Sequence, residues 1–222
     1  MRSFLITITY SPPQLTSPTE RIPRLRDLGL FLRCALTSPG RTGAVLPSSR
    51  ALARSMTSVL SEFSDPNVLE LGPGTGPMTH YIQRRLAGAG RHVAVELNPA
   101  FAQRLAERYP RVDVVCDTAA ALPRILEARG MYHVDAVITS LPFSLIPDDV
   151  QTDIMDGITS LINPECGVFT TINYVGAFST PRARRFRALL RERFDQLVVS
   201  RPVLGNMPPA YILTARRAHL AR

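Results

Sequence analysis

The stretch Val68-Leu69-Glu70-Leu71-Gly72-Pro73-Gly74-Thr75-Gly76 narrows the folds open to this chain more than any other feature. An apolar run closes on an acid, and three glycines follow at alternate positions. Glycine takes positive φ freely and lets another molecule approach the backbone with no Cβ in the way. Residues 78–86 have helical composition, so the string predicts a buried strand, a tight turn and the start of a helix. In an open α/β sheet such a turn lies at the carboxyl edge of its strand, where ligands bind. The spacing is not the dinucleotide fingerprint G-x-G-x-x-G, because the turn reads E-x-G-x-G-x-G, and no phosphate-cradling Gly-Lys-Ser/Thr follows. A plain tight turn would read the same way, so the neighbouring strands decide its meaning.

Residues 92–96 form a second buried run ending in Glu96, 20 residues after Gly76, where a carboxylate can accept both hydroxyls of a ribose. Pro99 starts a helix carrying Phe101, Leu105 and Tyr109, and residues 112–116 make a third strand. Asp117 stands at its end, placed to accept from an adenine amino group. A lone carboxylate at a strand end is ordinarily a solvated turn residue. Glu70, Glu96 and Asp117, closing successive strands behind a glycine turn, point to an adenosine-bearing ligand. The fourth strand, residues 134–139, runs into Ser140-Leu141-Pro142-Phe143. A βα loop that merely contains a proline would read the same way. Residues 149–161 read as a helix, 168–174 as a fifth strand with Tyr174 near its carboxyl end, and 181–194 as an arginine-rich helix with a solvated face. Two closing strands, 196–201 and 210–217, flank Gly205-Asn206-Met207-Pro208-Pro209.

At 222 residues, 45% hydrophobic and 20% charged, the chain suits one globular domain with an N-terminal appendage and is neither disordered nor fibrous. No apolar run reaches the roughly 20 residues of a membrane span. The leading segment 4–10 behind Arg2 is short for a signal sequence and lacks a small-residue cleavage site, so we read the chain as not exported. Cys34, Cys116 and Cys166 are scattered and odd in number, which fits a reducing compartment and gives no metal-ligand spacing. The net charge of +8 is carried by arginine, since the sequence has no lysine. Eight arginines fall in the first 54 residues against Glu20 and Asp27, an asymmetry that points to an anionic membrane surface or to nucleic acid.

Residues 1–23, with Pro12, Pro13, Pro18 and Pro23, read as a flexible lead-in. Residues 24–36 set Leu25, Leu28, Phe31 or Leu32, and Leu36 at three- and four-residue intervals, with Arg24, Arg26 and Arg33 among them. This is a basic amphipathic helix that either lies in an anionic interface or packs its stripe on the domain. A Pro-, Gly- and Ser-rich loop over 38–49 follows, and Ser48 or Ser49 caps a helix to about residue 60. The organisation predicted is a lead-in (1–23), N-terminal helices capping membrane or substrate (24–60), and a catalytic domain (61–222).

Glu70 through Gly76 resembles the first motif of the class I S-adenosylmethionine (SAM) dependent methyltransferases, and the likeness runs over residues 67–143. A sulfonium ligand with an amino group and no phosphate suits a turn that carries a carboxylate and no lysine. Phe31-Leu32-Arg33, the stretch 43–53 and Asn206-Met207-Pro208-Pro209-Ala210 look like the bacterial phospholipid N-methyltransferases, peripheral membrane enzymes that convert phosphatidylethanolamine stepwise to phosphatidylcholine. With them the similarity covers about residues 28–217.

The resemblance implies a Rossmann-like α/β fold: a seven-stranded, mostly parallel sheet with an antiparallel last strand, plus N-terminal amphipathic helices. It implies SAM as cofactor, held by Glu70, Gly72, Pro73, Gly74, Gly76, Glu96, Leu97, Asp117, Thr118 and Ser140, with Glu70 and the turn on the methionine moiety. Ser140, Leu141, Phe143 and Tyr174 would orient the amine of phosphatidylethanolamine or of a related aminolipid such as an ornithine lipid. The enzyme would work without a metal, from the cytoplasm, at the inner face of the cell membrane. The rRNA adenine dimethylases carry asparagine where this chain has Ser140. That departure argues against a nucleic-acid partner and leaves rRNA adenine N6-methylation as the alternative, with a SAM-binding module as a third reading. No residue stands out as the proton acceptor; Tyr174 and water are weak candidates.

Overall fold

The computed structural model describes residues 48–219. The expected lead-in, the basic amphipathic helix of 24–36, Cys34 and most of the 38–49 loop lie outside them. The first described helix, α1 (Arg50–Met56), starts at Ser49, whose hydroxyl accepts from the Leu52 amide. It tightens into a 3-10 segment over Thr57–Glu62, so the expected helix to residue 60 changes character at Thr57. The Thr57 hydroxyl donates to the Ala53 carbonyl at 2.8 Å, the back-bonding that threonine offers in place of a clean helical continuation.

The sheet contains β1 (Asn67–Leu71), β2 (Arg91–Glu96), β3 (Asp113–Cys116), β4 (Ala136–Thr139), β5 (Val168–Tyr174), β6 (Phe194–Val199) and β7 (Ala210–Ala218). Their order is β3-β2-β1-β4-β5-β7-β6. Neighbours from β3 through β5 pair in parallel, while β7 runs antiparallel to both β5 and β6. Between the strands come α2 (Pro77–Leu86), α3 (Pro99–Arg108), α4 (Leu122–Glu127), α5 (Asp148–Thr159) and α6 (Pro181–Arg193). The fold is the Rossmann-like arrangement expected, with the reversed strand in its expected place.

The two-residue period of a strand sorts the core. Leu69, Leu71 and Val137 face a layer with Leu122, Ile154 and Phe186. Val68, Ala136 and Ile138 face the other layer, with Leu52, Met56 and Ile82. Each large apolar side chain buried in this way stabilises the fold by about 1.5–3 kcal/mol. The fourth strand starts later than expected because Asp135 turns its carboxylate to the Asn67 amide at 2.8 Å, while Val134 makes only an isolated bridge to Ile162. On α6, Arg182 and Arg185 reach Asp148 and Arg193 reaches Asp156, so part of the arginine face clamps α5. Strand order reverses between β1 and β4, and the crevice above that switch point is where an open α/β sheet takes ligands.

Candidate active site

The glycine turn occupies this crevice. Gly72, Gly74 and Gly76 have φ of 67°, 56° and 86°, all left-handed, but their surroundings differ. A Cβ on Gly72 would stand 2.8 Å from Leu141 Cδ2, and one on Gly76 would stand 2.8 Å from Leu105 Cδ1. A Cβ on Gly74 would meet nothing within 4 Å. Gly72 and Gly76 are therefore close-packing positions, whereas Gly74 leaves its backbone open to a ligand. Pro73 contributes the carbonyl that accepts from the Gly76 amide at 2.9 Å and closes the turn.

Glu96 ends β2 directly beside the open glycine. Its Oε2 accepts from the Gly74 amide at 2.9 Å and its Oε1 from the Asn98 amide at 2.8 Å. Each oxygen keeps a second lone pair, so the carboxylate is fixed and still able to accept from two hydroxyls. Burial pushes its pKa above the ordinary value, against the pull of those amides. Leu97 beside it packs against the core. Asp117 follows one strand over: its Oδ1 accepts from the Thr118 amide at 2.7 Å and its Oδ2 from Arg124 at 2.6 Å. Thr118 caps the next turn by accepting from the Ala120 amide. The Asp117 amide donates to the Glu96 carbonyl at 3.2 Å, which ties the two acids into one ridge.

Two expected contacts are corrected. Glu70 was assigned to the ligand's methionine end, yet it is 1% exposed and faces inward. Its Oε2 accepts from the Thr79 hydroxyl at 2.8 Å and lies 3.1 Å from His92 Nε2, which itself is not aligned for a full hydrogen bond. Gln83 braces the far side of the ring, 3.0 Å from Nδ1. The reason is register: Glu70 pairs with Ala94 one step before the end of β1, so its side chain points under the turn. Phe143 was assigned to the amine, but it is 1% exposed and stacks on Phe186 at 4.3 Å with an 8° interplanar angle. Offset aromatic stacking in the core wins over a solvent-facing position.

The rest of the loop after β4 stands beside the glycine turn. The Ser140 amide continues the ladder to Leu71, and Leu141 contacts Gly72 across the switch point. Gln151, buried on α5, donates to the carbonyls of Phe143 and Ile146 at 2.7 and 2.8 Å, which locks the loop. Tyr174 ends β5, and burial raises its phenol to about 12. That phenol is a proton donor at neutral pH and no base.

The structure also joins the two flanking pieces. The Ser49 amide donates to Asn206 Oδ1 at 2.8 Å, and Asn206 Nδ2 donates to the Pro208 carbonyl at 2.7 Å. Asn206 is buried, so Asn206→Ala should cost about 1–3 kcal/mol by orphaning the Ser49 amide. Urea unfolding measures this, and an unchanged midpoint would show that the loop does not hold α1.

The sheet order, the reversed β7 and the acid-flanked turn define a class I, SAM-dependent methyltransferase. A methyltransferase-domain family profile matches residues 68–165. The ornithine lipid N-methyltransferase of Singulisphaera acidiphila is 30% identical over 190 residues, covering 84% of this chain and 94% of that protein. Among solved structures, an O-methyltransferase from Bacillus cereus in complex with SAH aligns with a TM-score of 0.61 at 18% identity, over 89% of this chain and 92% of that one. The O-methyltransferase TomG from Streptomyces achromogenes, in complex with SAM, gives 0.59 at 19% identity over 89% and 99%. These structural likenesses concern the fold. The chain belongs to the methyltransferase family that includes the Singulisphaera lipid N-methyltransferase.

Proposed function

We propose that this protein transfers the methyl group of SAM to the primary amine of a membrane aminolipid of the ornithine-lipid or phosphatidylethanolamine kind. The observation that carries the substrate is the relationship to an ornithine lipid N-methyltransferase over nearly that protein's whole length. For the cofactor, the open Gly74 backbone beside the fixed carboxylate of Glu96 is the supporting geometry. SAM supplies a methyl on a cationic sulfonium, ready for displacement by a neutral amine in line with it.

In this reading Glu96 receives the ribose hydroxyls, and Asp117, steadied by Arg124, lies toward the adenine. Gly72, Pro73, Gly74 and Gly76 shape the floor, and Leu97 and Thr118 frame the base. Ser140 and Leu141, at the start of the loop that Gln151 fastens through the Phe143 and Ile146 carbonyls, orient the amine, which is rate enhancement by positioning. Tyr174 stays protonated and donates, so the ammonium loses its proton to water. The domain over 61–222 would carry the chemistry behind a cap formed by 24–60, working peripherally on the inner face of the membrane. Among the described residues no helix is long and apolar enough to cross a membrane.

The test is incubation of the protein with labelled SAM and anionic liposomes containing ornithine lipid or phosphatidylethanolamine. Label in the lipid fraction is expected. The rate should rise with pH toward the amine's own pKa, about 10.4 for a lysine-like amine, with the same profile in Tyr174→Phe. No label in lipid, or label in ribosomal RNA instead, would overturn the assignment.

A further inference from the structure

Beside the glycine turn, a cavity of about 550 Å³ opens between the start of α1, the first turns of α2 and the end of α3. Arg50, His80, Arg84, Arg108 and Tyr109 line it, and of the expected cofactor residues it borders only Gly76. A second hollow of about 330 Å³ shares Tyr81 and Arg84 with it and adds Arg54 and Arg85. Among the described residues none of these five arginines forms an ion pair, although seven other arginines elsewhere on the domain do. Arg85 spends its donors on Thr57, Ser61 and the Arg54 carbonyl, and Arg108 lies 5.4 Å over the Tyr109 ring. Clustered like charges with no counter-charge destabilise a compact fold by self-repulsion.

A second observation concerns the cavity wall itself. The Tyr109 hydroxyl is buried and has no hydrogen-bond partner, and burial raises its pKa, so it remains a donor at neutral pH. Leaving such a group unmet costs about 1–3 kcal/mol. The guanidinium groups and the start of the ten-residue helix α2 both favour a negatively charged oxygen group. We infer that this cavity seats the anionic group of the aminolipid headgroup, the phosphate of a phosphatidylethanolamine or the carboxylate of an ornithine lipid. This rests on the function proposed above. An aminolipid headgroup carries anion and amine on one short scaffold, and a cavity bordering Thr75 and Gly76 holds that scaffold next to the turn.

The experiment compares the full-length protein with an Arg84→Gln/Arg108→Gln double variant, with Tyr109→Phe, and with Arg216→Gln, whose side chain pairs with Glu62 and does not line the cavity. Aminolipid in uncharged detergent micelles removes the general attraction of an anionic surface. The double variant should raise KM for lipid by roughly tenfold or more, and Tyr109→Phe by a few-fold, with kcat and SAM affinity within about twofold. Calorimetric titration with glycerophosphoethanolamine, Nα-acetylornithine and inorganic phosphate reads the site without turnover, and the double variant should lose headgroup binding. Unchanged KM with lost phosphate binding would overturn the headgroup assignment in favour of a free-phosphate site. Unchanged values in both readouts would remove the anion site altogether. A wild-type protein that methylates no aminolipid, yet loses anion binding on mutation, would instead bring down the functional reading and the headgroup assignment with it.

Discussion

Glu96→Ala is expected to weaken SAM binding by about 100-fold or more while the protein remains folded, because two charge-assisted hydrogen bonds to the cofactor would go with the carboxylate. Calorimetric titration with SAM measures it, and unchanged affinity would mean that Glu96 does not face the ribose. The pH dependence has a definite sign. Burial raises the folded-state pKa of Glu96 above its ordinary 4.5, so the folded protein holds that proton more tightly than the unfolded chain does. The associated stability is present at acid pH and is lost as pH rises from 4.5 through the raised value. Cofactor affinity runs the other way, since only the ionised carboxylate accepts from both hydroxyls: it falls as pH drops through the same window. Glu96→Gln should flatten that dependence.

Glu70→Ala should produce the opposite balance, a loss of about 3 kcal/mol or more of stability, because it strips His92 and Thr79 of their buried partner. Urea unfolding reports the stability and titration with SAM the affinity. A ligand-contacting Glu70 would lose affinity with little change in stability, so the pair of measurements separates a prop beneath the turn from a hand on the cofactor. The comparison with Glu96→Ala is informative because the two carboxylates share a face of the sheet two positions apart in register.

Much of this architecture was legible in the chain. Val68 to Gly76 reads as a tight turn by itself, and it announced the switch point once Glu96 and Asp117 were read at the ends of the following strands. What periodicity could not supply was orientation near those ends. Glu70 looks as available as Glu96 until register shows that it stops one residue short and turns inward. Phe143 looks like a site aromatic until a partner 43 residues away, Phe186, takes its face. Gln151 was missed although it carried a signal: it shares a helical stripe with Ile154, Met155 and Ile158, and a polar residue on a buried stripe is there to satisfy something. His92, alternating with Ala94 and Glu96, was findable on the same logic. Arg124 was not, since pairing with Asp117 depends on how a helix sits above a loop.

The bond from the Ser49 amide to Asn206 spans 157 residues of sequence. Closing a loop that long costs conformational entropy, though the cost grows only slowly with its length. Ser48 and Arg50, on either side of that bond, are walls of the arginine cavity. The bond therefore ties one wall of the cavity, at the start of α1, to the loop between the last two strands of the sheet. A residue near the end of the chain thus helps to set the shape of a cleft whose other walls come from the first half of the domain.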